Sequence, residues 1–173
     1  VADWERKRRW VGEAFARMEE AGYHLSSGYT AVRDPARHHF VYRDQLWRGA
    51  DMVGLGVASF SHFQGVHYQN EGRIEDYQRR VEAGEMPVSR AYATNAGERL
   101  VRELVLQLKL GFIDPREFER KFGVNPAQRF ASEVRPLVQR GWMVTEPTGW
   151  KLTRAGLLRV DSFLPDFFRP EHR

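Results

Sequence analysis

The chain has 173 residues, with 42% apolar and 29% charged, which is globular composition rather than disorder. No apolar run nears the ~18 residues of a membrane span, no cleavable signal pattern opens the chain, and Cys is absent. The charge of +4, from 27 basic and 23 acidic residues, is too small to demand nucleic acid.

Residues 3–21 predict an amphipathic helix with Val11, Ala14, Phe15, Met18 and Ala21 on one stripe, Asp3 as N-cap and Gly22 behind. The Arg6-Lys7-Arg8-Arg9 run reads as a solvated helix face rather than a phosphate clamp. Residues 23–32 alternate and predict a strand. Residues 33–49 form an Arg- and aromatic-rich connection. Residues 51–60, Asp-Met-Val-Gly-Leu-Gly-Val-Ala-Ser-Phe, are almost continuously apolar, as in a strand covered on both faces. That pairs residues 23–32 and 51–60 as neighbouring parallel strands with a right-handed link. Two strands leave an apolar face uncovered, so oligomers, strand-edge pairing or modest stability are expected. Residues 73–83 predict a helix with Ile74, Tyr77 and Val81 inward, and 84–94 a linker.

The second half is helical. Asn95-Ala-Gly-Glu98 predicts a capping box opening a helix to Leu110. Asp114-Pro115 and Asn125-Pro126 each pair an N-cap with proline at the first helical position. Gly123 closes the first of these helices, and Phe130, Val134, Leu137 and Val138 face inward from the second. A hairpin follows at Trp142–Leu152 around Pro147-Thr148-Gly149, then Thr153 caps a helix to Phe163. Three helices, a two-stranded wing and a helix make a winged-helix arrangement.

Chemistry is sparse. The absence of Cys excludes disulfides, thiolate metal sites and thiol nucleophiles on this chain, and it fits a reducing compartment. The basic set is 23 Arg against 4 Lys, which reflects either a GC-rich genome or bidentate anion forks. Gly54 and Gly56 mark either structural close packing or the approach of a ligand. Ser59, Ser61, His62, Gln64, His67, Gln69 and Asn70 cluster after them. His62 and His67 are five apart in a loop with no carboxylate near them in sequence, so they read as hydrogen-bonding loop histidines rather than as metal ligands. Gln128, Arg129, Arg135, Gln139 and Arg140 on the third helix raise DNA binding, but winged helices also dock proteins.

The run Gly49-Ala-Asp-Met-Val-Gly-Leu-Gly-Val-Ala-Ser-Phe-Ser-His-Phe-Gln-Gly-Val-His-Tyr-Gln-Asn70 resembles the last core strand region of oxygen-independent coproporphyrinogen III oxidases. These are radical S-adenosylmethionine enzymes of haem biosynthesis. The order downstream is similar too: the Tyr77 helix, Gly84-Glu-Met-Pro87, Arg90-Ala-Tyr-Ala-Thr94, the Arg99–Leu110 helix, Phe122-Gly123 and Leu152-Thr-Arg-Ala-Gly156-Leu-Leu. The resemblance implies a C-terminal portion. Residues 1–86 would be closing β/α units of a partial TIM-like barrel, and 87–173 a winged-helix domain.

The resemblance also implies S-adenosylmethionine and a [4Fe–4S] cluster in the full-length protein, with a Cys-rich barrel segment supplied from elsewhere and a cytoplasmic setting. A chain not starting with Met fits a fragment, which alone binds no cluster and is inactive. Gly54, Gly56, Ser59, Phe60 and Phe63 occupy the positions matching the cofactor-contacting strand. Arg33, Arg37, Arg43 and Arg48 suit the propionates of a porphyrinogen-type tetrapyrrole. Phe163, Leu164, Phe167 and Phe168 are expected to cover a surface against the barrel half, with no membrane and no sequence-selective DNA binding. A haem-handling module using His62 or His67, and a winged-helix DNA-binding regulator, are the alternatives.

Overall fold

The computed structural model describes residues 2–170 and is mixed α/β. Contacts divide the chain into two compact units, Val1–Arg48 with Leu100–Arg173, and Gly49–Arg99. The boundary expected at residues 86/87 lies inside the second unit. No helix among the described residues is long and apolar enough to cross a membrane.

The first unit opens with helix α1, Trp4–Glu20, where the Asp3 carboxylate accepts from Arg6 N at 2.7 Å. Of the expected inner stripe only Phe15 is buried; Val11 and Met18 are exposed. Residues 23–32 are not one strand but an antiparallel hairpin, β1 (His24–Ser27) and β2 (Thr30–Val32). A reversal at Gly28-Tyr29 interrupts the alternation. The Arg-rich connection then contains helix α2, Val41–Trp47.

The second unit corrects the sequence reading most. Residues 51–60 form no covered strand: Met52 makes an isolated bridge with His62, and a loop follows in which Gly56 and Ala58 have φ of 98° and 59°. Positive φ at two near neighbours is incompatible with extended backbone. The parallel pair therefore does not form, and every strand pair found is antiparallel. The sheet of this unit is β3 (Phe60–Phe63), β4 (Val66–Asn70) and β5 (Val88–Ala93), in that order. Gln64 and Gly65, with φ of 47° and 78°, make the two-residue turn between β3 and β4. Helix α3, Ile74–Glu82, matches expectation in place, but Ile74 and Val81 are exposed. β5 occupies the segment expected to be a linker.

Helix α4, Ala96–Leu108, carries the expected capping box: Glu98 N donates to Asn95 Oδ1 at 3.0 Å and Asn95 N to Glu98 Oε2 at 2.8 Å. In the first unit a short strand β6, Phe112–Ile113, precedes helix α5, Pro115–Phe122, which ends at left-handed Gly123. The third expected helix is broken at Phe130 into α6 (Pro126–Arg129) and α7 (Ala131–Gln139). Phe130 leaves helical backbone and sinks its ring into the core at 1% exposure.

The hairpin is β7 (Met143–Glu146) and β8 (Gly149–Leu152), and β6 joins the far edge of β8 to give the order β6-β8-β7. Gly149 is required by that third strand, since a Cβ there would stand 2.0 Å from Ile113 O. Thr153 caps α8, Arg154–Leu157; α8 and α9 (Val160–Phe163) together replace the single expected helix, and a 3-10 turn (Leu164–Phe167) follows.

The core of this unit joins Leu104, Leu108, Ile113, Phe118, Leu137 and Met143. Phe163, Leu164 and Phe167 are buried in that same core, with Phe168 packed against it. Their expected role as a covering surface is corrected accordingly: a terminal aromatic cluster satisfies its burial within its own unit.

Candidate functional site

The glycine segment is held together by its own polar groups. Asn70, 5% exposed, donates through Nδ2 to both Gly54 O (3.1 Å) and Gly56 O (3.0 Å). Gly54 N donates to the Ser61 hydroxyl at 2.9 Å, and Gly56 N to the Tyr77 hydroxyl at 3.2 Å. Ser59 Oγ donates to Leu55 O at 2.7 Å. A Cβ at Gly54 would lie 2.3 Å from Phe60 O, so the close approach that demands glycine there is made by the chain's own backbone. Gly56 is glycine for its positive φ.

Gly54 and Gly56 thus each meet a requirement of the chain's own backbone, and the Ser59 hydroxyl is bonded to Leu55 O. Phe60 and Phe63 do face solvent, at 59% and 43% exposure. Asn70, Ser61 and Tyr77, which hold the loop, stood out in the sequence only as polar residues after an apolar run and as an inward helix position. Their buried bonding to a distant backbone is a tertiary fact. The thiolates that hold a [4Fe–4S] cluster are not on this chain, which has no Cys, so the cluster does not fit its residues.

His62 and His67 face each other across β3 and β4, with ring centroids 4.3 Å apart and His62 buried. No group of three or more metal-ligating side chains occurs among the described residues. Two imidazoles in register, tilted 44° to one another, are a cross-strand pair, the arrangement that packs a sheet face.

The four candidate arginines lie in the first unit and divide into two kinds. Arg43 is buried, not open to an anion. Its Nη1 donates to Ser27 Oγ at 2.9 Å and to Thr30 Oγ1, while its Nε and Nη2 hold Asp44 Oδ1 at 2.9 and 2.7 Å. The Phe40 and Trp47 rings sit 5.3 and 5.2 Å from its guanidinium carbon. Arg43 thus ties the β1–β2 turn to α2. Arg48 pairs with Glu117 at 3.0 Å, and its carbonyl accepts from Lys121 Nζ at 3.0 Å. Arg33 and Arg37 are exposed.

Electrostatic perturbation centres elsewhere in this unit. Burial pushes the Glu103 carboxyl up, against the opposing pull of Lys121 and of Gln107, which donates to it at 3.1 Å. Burial also raises the Tyr29 phenol, whose hydroxyl donates to Asp161 Oδ2 at 2.6 Å. On the surface, the Arg154 guanidinium holds the Glu19 carboxyl below the usual range. None of these groups was singled out by sequence, because burial of a lone Glu or Tyr has no local signature.

Comparisons with known proteins agree with one another. Residues 95–159 match the family described as the HemN C-terminal domain. An oxygen-independent coproporphyrinogen III oxidase of Pseudomonas aeruginosa is 31% identical over 124 residues, 69% of this chain and 27% of that protein. One of Helicobacter pylori is 24% identical over 119 residues, 66% of this chain and 26% of that protein. The chain therefore spans about a quarter of the length of the curated relatives it matches. A solved structure from Escherichia coli, described as coproporphyrinogen III oxidase (HemN), a radical SAM enzyme, superposes with a TM-score of 0.71 at 19% identity. That superposition covers 90% of this chain and 39% of that one, and it supports the fold. The likeness first read in residues 49–70 and in the order downstream thus holds: this chain resembles the C-terminal portion of the oxygen-independent coproporphyrinogen III oxidases, and its residues 95–159 match their HemN C-terminal domain.

Proposed function

We propose that this chain serves as the C-terminal part of a radical S-adenosylmethionine oxidoreductase acting on a porphyrinogen-type tetrapyrrole in haem metabolism. The observation that carries the reading is collinearity: one chain matches the HemN C-terminal domain over residues 95–159 and resembles coproporphyrinogen III oxidases over 69% of its length. Cluster and radical chemistry would be supplied by a Cys-bearing barrel segment outside these residues, in a cytoplasmic setting. When bound, the cluster with S-adenosylmethionine provides the oxidising radical. Contact with S-adenosylmethionine from this chain would fall to the segment of Gly54, Gly56, Ser59, Phe60 and Phe63, in which Phe60 and Phe63 are exposed. Contact with propionates falls to exposed Arg33 and Arg37 rather than to Arg43 and Arg48, which are already bonded.

The order α4, β6, α5, α6–α7 and the β7–β8 hairpin supports the winged-helix reading of residues 87–173, used for protein docking rather than DNA. The helix positions Arg129 and Arg140 each lie over an aromatic ring, Phe130 and Trp142. The barrel-piece reading of residues 1–86 is kept only as a proposal that this region borders a barrel, since its own strands pair antiparallel.

The test is a reconstitution. Anaerobic iron and sulfide added to this chain alone should give no stable cluster and no adenosylmethionine cleavage. The same chain joined to the segment encoded upstream should give both, together with oxidation of coproporphyrinogen. A stable cluster on the chain alone, or an upstream frame lacking a Cys-x-x-x-Cys-x-x-Cys motif, would overturn the proposal. A gel shift at physiological salt addresses the DNA reading, where only weak, steeply salt-sensitive binding is expected.

A further inference from the structure

The run Arg6-Lys7-Arg8-Arg9 was expected to be a solvated helix face. In the structure its two middle residues instead border a groove of about 790 Å³ inside the first unit. Trp4, Val11 and Phe15 of α1 form one wall, and Leu157, Leu158 and Val160 from the α8–α9 region form the other. The size is that of a site for a small organic molecule, within the roughly 300–1,000 Å³ usual for such pockets.

Three cationic side chains line this apolar space: Lys7, Arg8 and Arg159. The one acid among its lining residues, Asp161, is already engaged. Its Oδ2 accepts from Tyr29 at 2.6 Å and its Oδ1 pairs with Lys109 at 3.1 Å. Arg159 is turned back to α8, donating to Ala155 O at 3.1 Å and lying over Trp142. Lys7 sits 4.5 Å from the Trp4 ring.

Arg8 differs. Its Nε is shut off from solvent and has no hydrogen-bond partner among the described residues. Arg8 is half-buried and its guanidinium has no acceptor or ion-pair partner among the described residues, so a carboxylate in the groove would meet its terminal nitrogens, rather than the covered Nε, in charge-assisted bonds. Gly28 adds room, since its missing side chain would otherwise press on Val160 and Leu157.

We propose that this groove binds an anionic amphiphile, an apolar body of fatty-acid size carrying a carboxylate, with the carboxylate on Arg8 and the body between α1 and α8–α9. This ligand is independent of the tetrapyrrole reading, and the site lies wholly within one unit.

Laurate is the probe, titrated calorimetrically into the full chain at physiological salt, with dodecanol as its neutral counterpart. Laurate should bind at one saturable site about tenfold or more tighter than dodecanol, the fold expected for one hydrogen bond to a charged group. Arg8→Gln should abolish that preference. Val11→Trp, which fills the groove from an exposed helix position, should weaken both ligands, with circular dichroism showing the fold retained. Leu55→Ser, an exposed site in the other unit, should leave laurate binding unchanged. Equal affinity for laurate and dodecanol, undiminished binding to the Val11→Trp variant, or no laurate binding at millimolar concentration would each overturn the proposal.

Discussion

Gly156 stands in the first turn of α8, where replacement by Ala ordinarily adds up to about 1 kcal/mol of stability. Here a Cβ would lie 1.9 Å from Trp142 O, backbone that cannot move without shifting β7. Gly156→Ala should therefore destabilise, by about 1–3 kcal/mol, read as a lower urea midpoint at an unchanged slope.

Glu103 makes a second prediction at this scale. Its carboxyl is held above the ordinary Glu value by burial, so the folded state binds its proton more tightly than the unfolded state does. Its contribution is therefore fully present below the unfolded value and is lost as pH rises through the raised folded value. Glu103→Gln should remove that slope: the stability of the variant relative to the parent should rise from pH 4 to pH 7 in urea unfolding, and a flat or falling difference would count against the assignment. Neither Gly156 nor Glu103 is conspicuous in the sequence, because what matters at both is the atom packed against them from a distant stretch of chain.

Helices were read better than strands. Asn95, Asp114, Asn125 and Thr153 all serve as the caps their sequence signatures imply, each side chain accepting a backbone N–H of the first turn. Such signals are local, involving residues two to four apart, and so survive in any tertiary setting. Asn95→Ala should cost about 1 kcal/mol while Asn95→Asp costs much less, measured by thermal unfolding. The strand errors have the opposite origin. Residues 51–60 are apolar enough for a covered strand, but Gly56 and Ala58 adopt positive φ and the segment closes on itself through Asn70. Apolarity reports burial, and it is blind to which backbone the glycines permit. The β3–β4 turn at Gln64-Gly65 was hidden for a related reason, since Gln is an uncommon residue at a left-handed turn position.

At the scale of the molecule, the second unit exposes apolar side chains that small sheets normally cover: Val53, Leu55 and Phe60 are 54%, 85% and 59% exposed. Together with Ile74 and Val81 they invite association with other apolar surface. The chain alone should self-associate at high micromolar concentration in sedimentation velocity, and Leu55→Ser with Phe60→Ser should shift it toward monomer. Unchanged association in that double variant would place the contact elsewhere.

What the amino-acid sequence determined by itself was the place of α1, α3, α4 and α5, the caps of α4, α5, α6 and α8, the β7–β8 hairpin and the likeness to the coproporphyrinogen III oxidases, since each rests on residues close together or on a collinear pattern. Tertiary structure decided the rest: that the strands pair antiparallel, that the backbone of Phe60 closes on Gly54, that Arg43 is bonded inside while Arg33 and Arg37 stay outside, and that Lys7 and Arg8 border an apolar groove. The physical reason is common to all four. Each depends on which distant atoms complete a hydrogen bond or fill a space, and a side chain's type says what it requires but not where in the chain the requirement is met.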